Sequence, residues 1–190
     1  MESTSARLDV ALNCRESISH EIASNWKVLC ENNFECYHCP ANHPTLAAIQ
    51  DVGEDFSCEF CDRYFRYGPR PDTVHSIQNR DSLLYFLWPN LFIFFIPGVS
   101  GVVRQIQPVS SDRSLDVRRY CFSDAVDDDV KPETVEFWKH VLAQDAALCE
   151  NVQRGLGSGR FGQGRLLLPV TDPAIQRFEC MLHRSLSDGD

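Results

Sequence analysis

Two histidines and a glutamate lie close together in one segment, where the histidines are either a core residue and a turn residue or a pair of metal ligands. His38 and His43 flank Pro40 in the run ECYHCPANH. Side chains five positions apart on one helix point about 140° away from each other, but proline disfavours helix continuation, and a turn there can bring both imidazoles to one ion. Glu35 precedes His38 by one helical turn, so it can hydrogen-bond the ring nitrogen that does not bind metal.

An aspartate on an apolar helix face supplies a third candidate ligand. The sequence after Pro132 predicts a long helix to Arg154, with Asp145 on its apolar stripe. That stripe consists of Trp138, Val141, Leu142, Leu148, Cys149 and Val152. Burying a carboxylate is costly unless it is paired, hydrogen-bonded or bound to a metal. A metal ion and a basic residue such as Arg154 are both suitable partners, and residue types alone do not choose between them.

Two histidines and one carboxylate on a single ion leave coordination positions open. This is the facial arrangement of non-haem iron(II) oxygenases, which activate dioxygen. Zinc hydrolases use the same ligand types, so the ligand set does not fix the metal.

Paired cysteines offer a rival metal site. Cys36 and Cys39 form one C-x-x-C pair, and Cys58 and Cys61 form a second after 18 intervening residues. This spacing is typical of structural zinc and predicts a zinc-stapled interaction module. It conflicts with a metal-binding His38 inside the first pair, and a core of this size needs no metal staple, so we rank it second.

Composition predicts one folded domain without a nucleic-acid or membrane partner. The chain has 190 residues, 43% hydrophobic and 24% charged, and a net charge of −9, which disfavours binding to phosphate backbones. Prolines interrupt the most apolar stretch, Leu83–Val99, which is too short to span a bilayer. The polar start predicts no secretory signal, hence a cytoplasmic protein whose nine cysteines are reduced thiols or metal ligands.

Periodicity predicts an α+β architecture. Residues 1–14 are interpreted as a tail or linker remnant and 15–190 as the functional domain. An antiparallel meander is expected between helices, with a surface excursion over 41–80. The predicted elements are a helix from the N-cap Asn25 to Pro40, strands in Leu83–Ile96, Val102–Val109 and Leu115–Phe122, a helix to a C-cap at Gly155, and a last helix over Pro173–Leu186.

Several motifs, in order along the chain, resemble the catalytic domain of Rieske-type ring-hydroxylating oxygenase alpha subunits. The resemblance covers about residue 15 to the end and is greatest to the choline and glycine betaine oxygenase branch. The motifs are Asn25-Trp26-Lys27, Glu31-Asn32, Glu35 to Pro40, His43-Pro44, Trp88 to Leu91, Gln144-Asp145, Cys149-Glu150, Val152 to Leu156 and Ser158.

The resemblance implies a helix-grip (Bet v 1-like) fold, an antiparallel sheet wrapped around ligand-bearing helices. It implies that His38, His43 and Asp145 bind mononuclear Fe(II), and that Glu35 is the acid carrying electrons from a Rieske 2Fe–2S cluster on a neighbouring subunit, commonly in a homotrimer. The implied reaction uses dioxygen and electrons from a reductase to hydroxylate an aromatic ring or oxidatively dealkylate an amine or quaternary ammonium substrate.

Two features depart from the family pattern. Asn33 replaces an aromatic or aliphatic residue, which predicts altered packing behind the helix. The clustered C-x-H and C-x-x-H pairs of a Rieske domain are missing from the sequence, so the cluster is expected on another domain or subunit. A fragment, a partner-fed chain, an inactive relative and a non-catalytic small-molecule-binding domain are all compatible with this pattern.

Overall fold

A computed structural model describes residues 11–35, 37–49, 56–69, 83–96, 100–166 and 172–187. The strands are β1 (Leu12–Ile22), β2 (Phe56–Phe60), β3 (Tyr64–Pro69), β4 (Leu83–Leu87), β5 (Leu91–Ile96), β6 (Ser100–Ser110) and β7 (Arg113–Ser123). The helices are α1 (Trp26–Phe34), α2 (Cys39–Asn42), α3 (Pro44–Ile49), α4 (Val130–Gly157) and α5 (Pro173–Ser187). None of the described helices is long and apolar enough to cross a membrane.

All seven strands form one antiparallel sheet in the order β1-β7-β6-β5-β4-β3-β2. Strands β2 to β7 follow one another as a meander, and β1 adds to the far side of β7. Alternate residues of β7 from Ser114 to Phe122 are buried, so one face of this strand packs into the interior. The predicted α+β class with an antiparallel sheet is confirmed.

Phe34 of α1 lies at the centre of the core. Its ring centroid is 4.9 to 5.3 Å from those of Phe65, Phe86, Phe92 and Phe178. These rings come from three strands and from α5, and all are almost fully buried. Aromatic packing of this kind is a large source of stability, and here it fixes α1 and α5 relative to the sheet.

The first helix is shorter than its sequence pattern predicts. Asn25 caps its start as expected, since its side-chain oxygen accepts a hydrogen bond from the Lys27 amide at 3.0 Å. The helix ends at Phe34, and Glu35 has extended backbone angles. Pro40 lies in the first turn of α2, where proline is tolerated, so it begins a new helix and does not end the first one.

The expectation of a surface excursion over 41–80 is wrong for its described part. Helix α3 and the hairpin β2–β3 occupy this segment, and Phe65 is fully buried opposite Phe86 of β4. Apolar and polar residues alternate around Phe65 over too few positions to predict a strand within the surrounding polar sequence. Residues 50–55 and 70–80 of that segment lie outside the described ranges.

Strand β1 was not predicted because its sequence, LNCRESISHEI, is polar and mostly exposed. Its first residue, Leu12, falls within the segment interpreted as a tail. Cys14 lies opposite Cys121 of β7 and is joined to it by a disulfide, so the prediction of reduced thiols is wrong for this pair. The pairing of two distant strands, which local patterns do not show, creates this contact.

The two long helices were predicted, with errors at their ends. Helix α4 runs beyond the expected cap at Gly155, and positive φ occurs later, at Gly159. Val152, assigned to the apolar stripe, is 43% exposed, as are most residues in the last turns of α4. Helix α5 matches its predicted range closely.

Candidate metal centre

His38, His43 and Asp145 come together in the structure. His43 Nε2 lies 2.8 Å from Asp145 Oδ1, and His38 Nε2 lies 3.5 Å from the same oxygen. One ligand atom from each residue lies within 4.8 Å of the other two. Within the described residues, this is the only group of three or more histidine, cysteine, aspartate or glutamate side chains close enough to share an ion.

The short helix α2 returns the chain so that the two histidines meet. His38 precedes α2 and His43 follows it, with the His43 amide donating to the Cys39 carbonyl at 2.8 Å. The ring centroids are then 5.2 Å apart. The predicted turn at Pro40 therefore exists, although it is made by a single helical turn. Asp145 reaches the pair from the middle of α4.

The Nδ1 atom of each imidazole contacts an oxygen. His38 Nδ1 lies 2.5 Å from Glu35 Oε1, and His43 Nδ1 lies 2.8 Å from Gln144 Oε1. Donation from Nδ1–H to these oxygens leaves the Nε2 atom of each ring facing Asp145, where Nε2–H donates to the carboxylate and a bound metal ion would replace that proton. Sequence reasoning did not assign this role to Gln144, although its position beside Asp145 places both contacts to His43 on one helix.

Glu35 contacts His38 as predicted, but for a different reason. The two residues do not share a helix face, because α1 ends before Glu35. A turn joins them instead: Glu35 Oε2 accepts hydrogen bonds from the Tyr37 amide at 2.6 Å and the His38 amide at 3.3 Å. This turn directs the other carboxylate oxygen at the imidazole.

The Asp145 side chain is 14% exposed and its carboxylate contacts donors on three residues, His38, His43 and Asn32. Asn32 donates to its Oδ1 at 3.0 Å. Burial raises the pKa of Asp145, but hydrogen bonds with His38, His43 and Asn32 outweigh it and hold that pKa well below its usual range. Arg154, the alternative partner, is exposed and donates to Asn151.

The electrostatics of this triad favour a bound cation. Burial lowers the pKa of His38, but hydrogen bonds with Asp145 and Glu35 raise it to about 9, and the pKa of His43 is raised as well. Ligands bound at about 2.1 Å on adjacent positions of one ion lie about 3 Å apart. The distances of 2.8 and 3.5 Å to Asp145 bracket that spacing, so the donor set fits a metal ion.

A cavity opens beside the triad. Its volume of about 140 Å³ is room for a small organic molecule. Part of its wall is apolar and aromatic, formed by Phe92, Phe94, Val102, Trp138 and Val141. The rings of Phe94 and Trp138 are 5.2 Å apart at their centroids.

Another part of the cavity wall is positively charged. It is formed by two buried arginines, which sequence reasoning missed. Arg104 of β6 and Arg118 of β7 line the same cavity. Arg104 donates three hydrogen bonds to the buried Asp116, at 2.8 to 3.1 Å, and one to Asn33 at 2.7 Å. The unusual Asn33 was the available signal, since a polar residue there needs a polar partner.

The rival cysteine site is not assembled by the described residues. Cys39 is buried in α2 and disulfide-bonded, Cys58 is half-buried in β2, and Cys61 is exposed in the turn after it. These three cysteines do not form a group close enough to hold an ion. Cys36, the fourth, lies outside the described residues.

Comparisons with known proteins give the family of this chain and several of its relatives. The family described as ring hydroxylating alpha subunit (catalytic domain) matches residues 9–188. Choline monooxygenase, chloroplastic, of Amaranthus tricolor is 28% identical over 173 residues, or 86% of this chain and 38% of that protein. The carnitine monooxygenase oxygenase subunit of Acinetobacter baumannii is 29% identical over 157 residues, or 77% of this chain and 42% of that protein.

A solved structure shares the fold. The quaternary ammonium Rieske monooxygenase CntA, in complex with L-carnitine, matches with a TM-score of 0.78 and 24% identity, over 91% of this chain and 49% of that chain. The chain thus spans less than half the length of these curated relatives. On the match across nearly its whole length, the chain belongs to the family of ring-hydroxylating alpha subunits and corresponds to their catalytic domain.

Proposed function

We propose that this chain is the oxygenase domain of a Rieske-type non-haem iron monooxygenase or dioxygenase. The observation that carries the proposal is the convergence of His38, His43 and Asp145 beside a cavity. Fe(II) held by these three residues would supply dioxygen activation at its open coordination positions. Glu35 and Gln144 hold the imidazoles in the ligating tautomer, and Asn32 orients the carboxylate.

Glu35 is suited to pass electrons to the triad. Its carboxylate contacts His38 and is 22% exposed, so it links the interior site to the surface. We propose that a Rieske 2Fe–2S cluster on a separate domain or subunit, fed by a reductase, docks at this surface. A homotrimer of full-length subunits would bring such a cluster to Glu35 from a neighbour.

The cavity fits a small organic substrate with a cationic or aromatic group. The rings of Phe94 and Trp138 in the cavity wall offer electron-rich surfaces that attract a quaternary ammonium through cation–π interactions and pack against an aromatic ring. Relatives of this chain are named for choline and carnitine, both of which carry a quaternary ammonium. Oxidation of such a substrate is the reaction we favour over ring hydroxylation.

A peroxide-driven reaction tests the function without an electron-donor partner. Monooxygenation of a C–H bond consumes dioxygen, two electrons and two protons. Hydrogen peroxide supplies the equivalent of all three, because R–H and H2O2 give R–OH and water. We expect the Fe(II)-loaded chain with peroxide to convert L-carnitine or choline into an oxidised product detectable by mass spectrometry, and the Asp145→Ala variant to form none.

Glu35→Gln separates the oxygenase chemistry from electron delivery. We expect this variant to keep its peroxide-driven turnover. Its turnover rate with a reductase and a Rieske partner should be at least tenfold lower than that of the native chain. Product formed equally by Asp145→Ala and the native chain, or no product from the native chain with any of these substrates and peroxide, would contradict the proposed function.

A further inference from the structure

A pair of buried arginines in the cavity wall has no part in the proposed iron chemistry. Arg104 and Arg118 lie directly opposite each other on the neighbouring strands β6 and β7. Their side chains are 6% and 7% exposed. Like charges in register across two strands repel each other, so this pair needs negative charge nearby.

Asp116 satisfies one arginine much better than the other. It accepts three hydrogen bonds from Arg104, whereas its single contact with Arg118 is long, at 3.4 Å. The Nε atom of Arg118 is buried and has no hydrogen-bond partner. A buried guanidinium that is poorly hydrogen-bonded is costly, and Arg118 lines the cavity, so a ligand there can accept hydrogen bonds from its terminal nitrogens.

The charge balance of the cavity points to the same kind of ligand. With His38 and His43 neutral, as they are when they bind a metal, the charges of Arg104 and Arg118 are offset by Asp116, Asp145 and Glu35, which leaves one surplus negative charge around the cavity. A divalent ion at the triad reverses this to one surplus positive charge. The loaded site would therefore attract an anionic group, and Arg118 is the unsatisfied cation that meets it.

We infer that Arg118 binds the carboxylate of the substrate, with Arg104 beside it. This inference rests on the proposed function and narrows its substrate class to a zwitterion. The quaternary ammonium would lie against Phe94 and Trp138, and the carboxylate would accept hydrogen bonds from the planar guanidinium fork of Arg118. Carnitine-like compounds fit this arrangement, and choline, which has no carboxylate, leaves Arg118 unsatisfied.

Isothermal titration with a matched pair of ligands tests the inference without turnover. L-Carnitine and its amide have nearly the same size, but only the first carries a carboxylate. Binding is measured anaerobically to the metal-free chain and to the Fe(II)-loaded chain. We expect the native chain to prefer L-carnitine by about tenfold, as one charge-assisted hydrogen-bonded pair provides, with the stronger preference in the loaded chain.

Substitutions on β7 test whether Arg118 is the residue that causes the preference for L-carnitine over its amide. Arg118→Met should reduce it to less than twofold, and Arg118→Lys should keep part of it because the charge remains. Arg119→Met, the adjacent exposed residue on the other face of β7, is the matched control and should leave it unchanged. Circular dichroism verifies that each variant is folded. In the native metal-free chain, acetate should weaken L-carnitine binding whereas acetamide should not, which tests the subsite even if Arg118→Met unfolds.

Equal affinities for L-carnitine and the amide in the native chain, or a full preference in folded Arg118→Met, would overturn the inference. An Fe(II)-binding failure would instead count against the proposed function. The carboxylate preference of the metal-free chain would stand independently of that result.

Discussion

Replacing Asp116 by asparagine should strongly destabilise the protein. Asp116 is 1% exposed and is the carboxylate between Arg104 and Arg118, from which it accepts four hydrogen bonds. The amide keeps the shape but leaves two buried guanidinium charges without a counter-charge. Breaking a buried pair in this way costs about 3 to 5 kcal/mol, a large part of a typical unfolding free energy of about 5 to 15 kcal/mol.

Urea unfolding at pH 7 followed by circular dichroism measures this loss. The exposed pair of Glu21 and Arg113 provides a control, since Glu21→Gln removes a surface carboxylate and should cost less than about 1 kcal/mol. Burial raises the pKa of Asp116, but Arg104 and Arg118 lower it further, to a net value below its usual range. Its stabilisation is thus complete above the unfolded value of 3.8 and is lost as the pH falls, so native chain and variant should converge in acid. An Asp116→Asn loss below about 1 kcal/mol at pH 7 would refute the reasoning.

Three further outcomes follow from the structure. In EDTA, the His38 pKa of about 9 exceeds its unfolded value of 6.5, so the stabilisation from protonated His38 is full below pH 6.5 and falls by about 3 kcal/mol as the pH rises to 9. Denaturation across this range should show that loss in the native chain and a smaller one in Asp145→Asn, where Glu35 alone still raises the pKa, and a flat native profile would contradict it. Phe178→Ala should cost about 3 to 5 kcal/mol in urea unfolding, because the ring is fully buried, and a loss under 1 kcal/mol would show that α5 is not docked as described. Cys58→Ser should leave the metal content unchanged by elemental analysis, whereas a loss of zinc would restore the cysteine site.

The sequence was informative wherever a local pattern carried the signal. The apolar runs around Phe92 and the long periodic stretch around Asp145 gave the meander and α4, and Asn25 gave a helix start. His38 and His43 could be linked to Asp145 because a carboxylate on an apolar stripe needs a partner. These features depend on residues that are close in sequence, so they can be predicted without knowledge of tertiary contacts.

The features that sequence reasoning missed depend on distant pairing. Strand β1 is polar and is defined only by its partner β7, which also places Cys14 opposite Cys121. Arg104 and Arg118 are ordinary strand residues until the register of β6 and β7 places them on one buried face beside the cavity. No local periodicity distinguishes such buried charges from surface ones.

The central claim is that His38, His43 and Asp145 together hold one iron ion. The most direct measurement is the iron content of the protein loaded anaerobically with Fe(II) and freed of excess metal, for the native chain and Asp145→Ala. Asp127→Ala, an exposed aspartate just before α4, is the matched control. We predict about one iron per native or control chain and almost none in Asp145→Ala with the fold retained; equal iron in folded Asp145→Ala and native protein would contradict the claim.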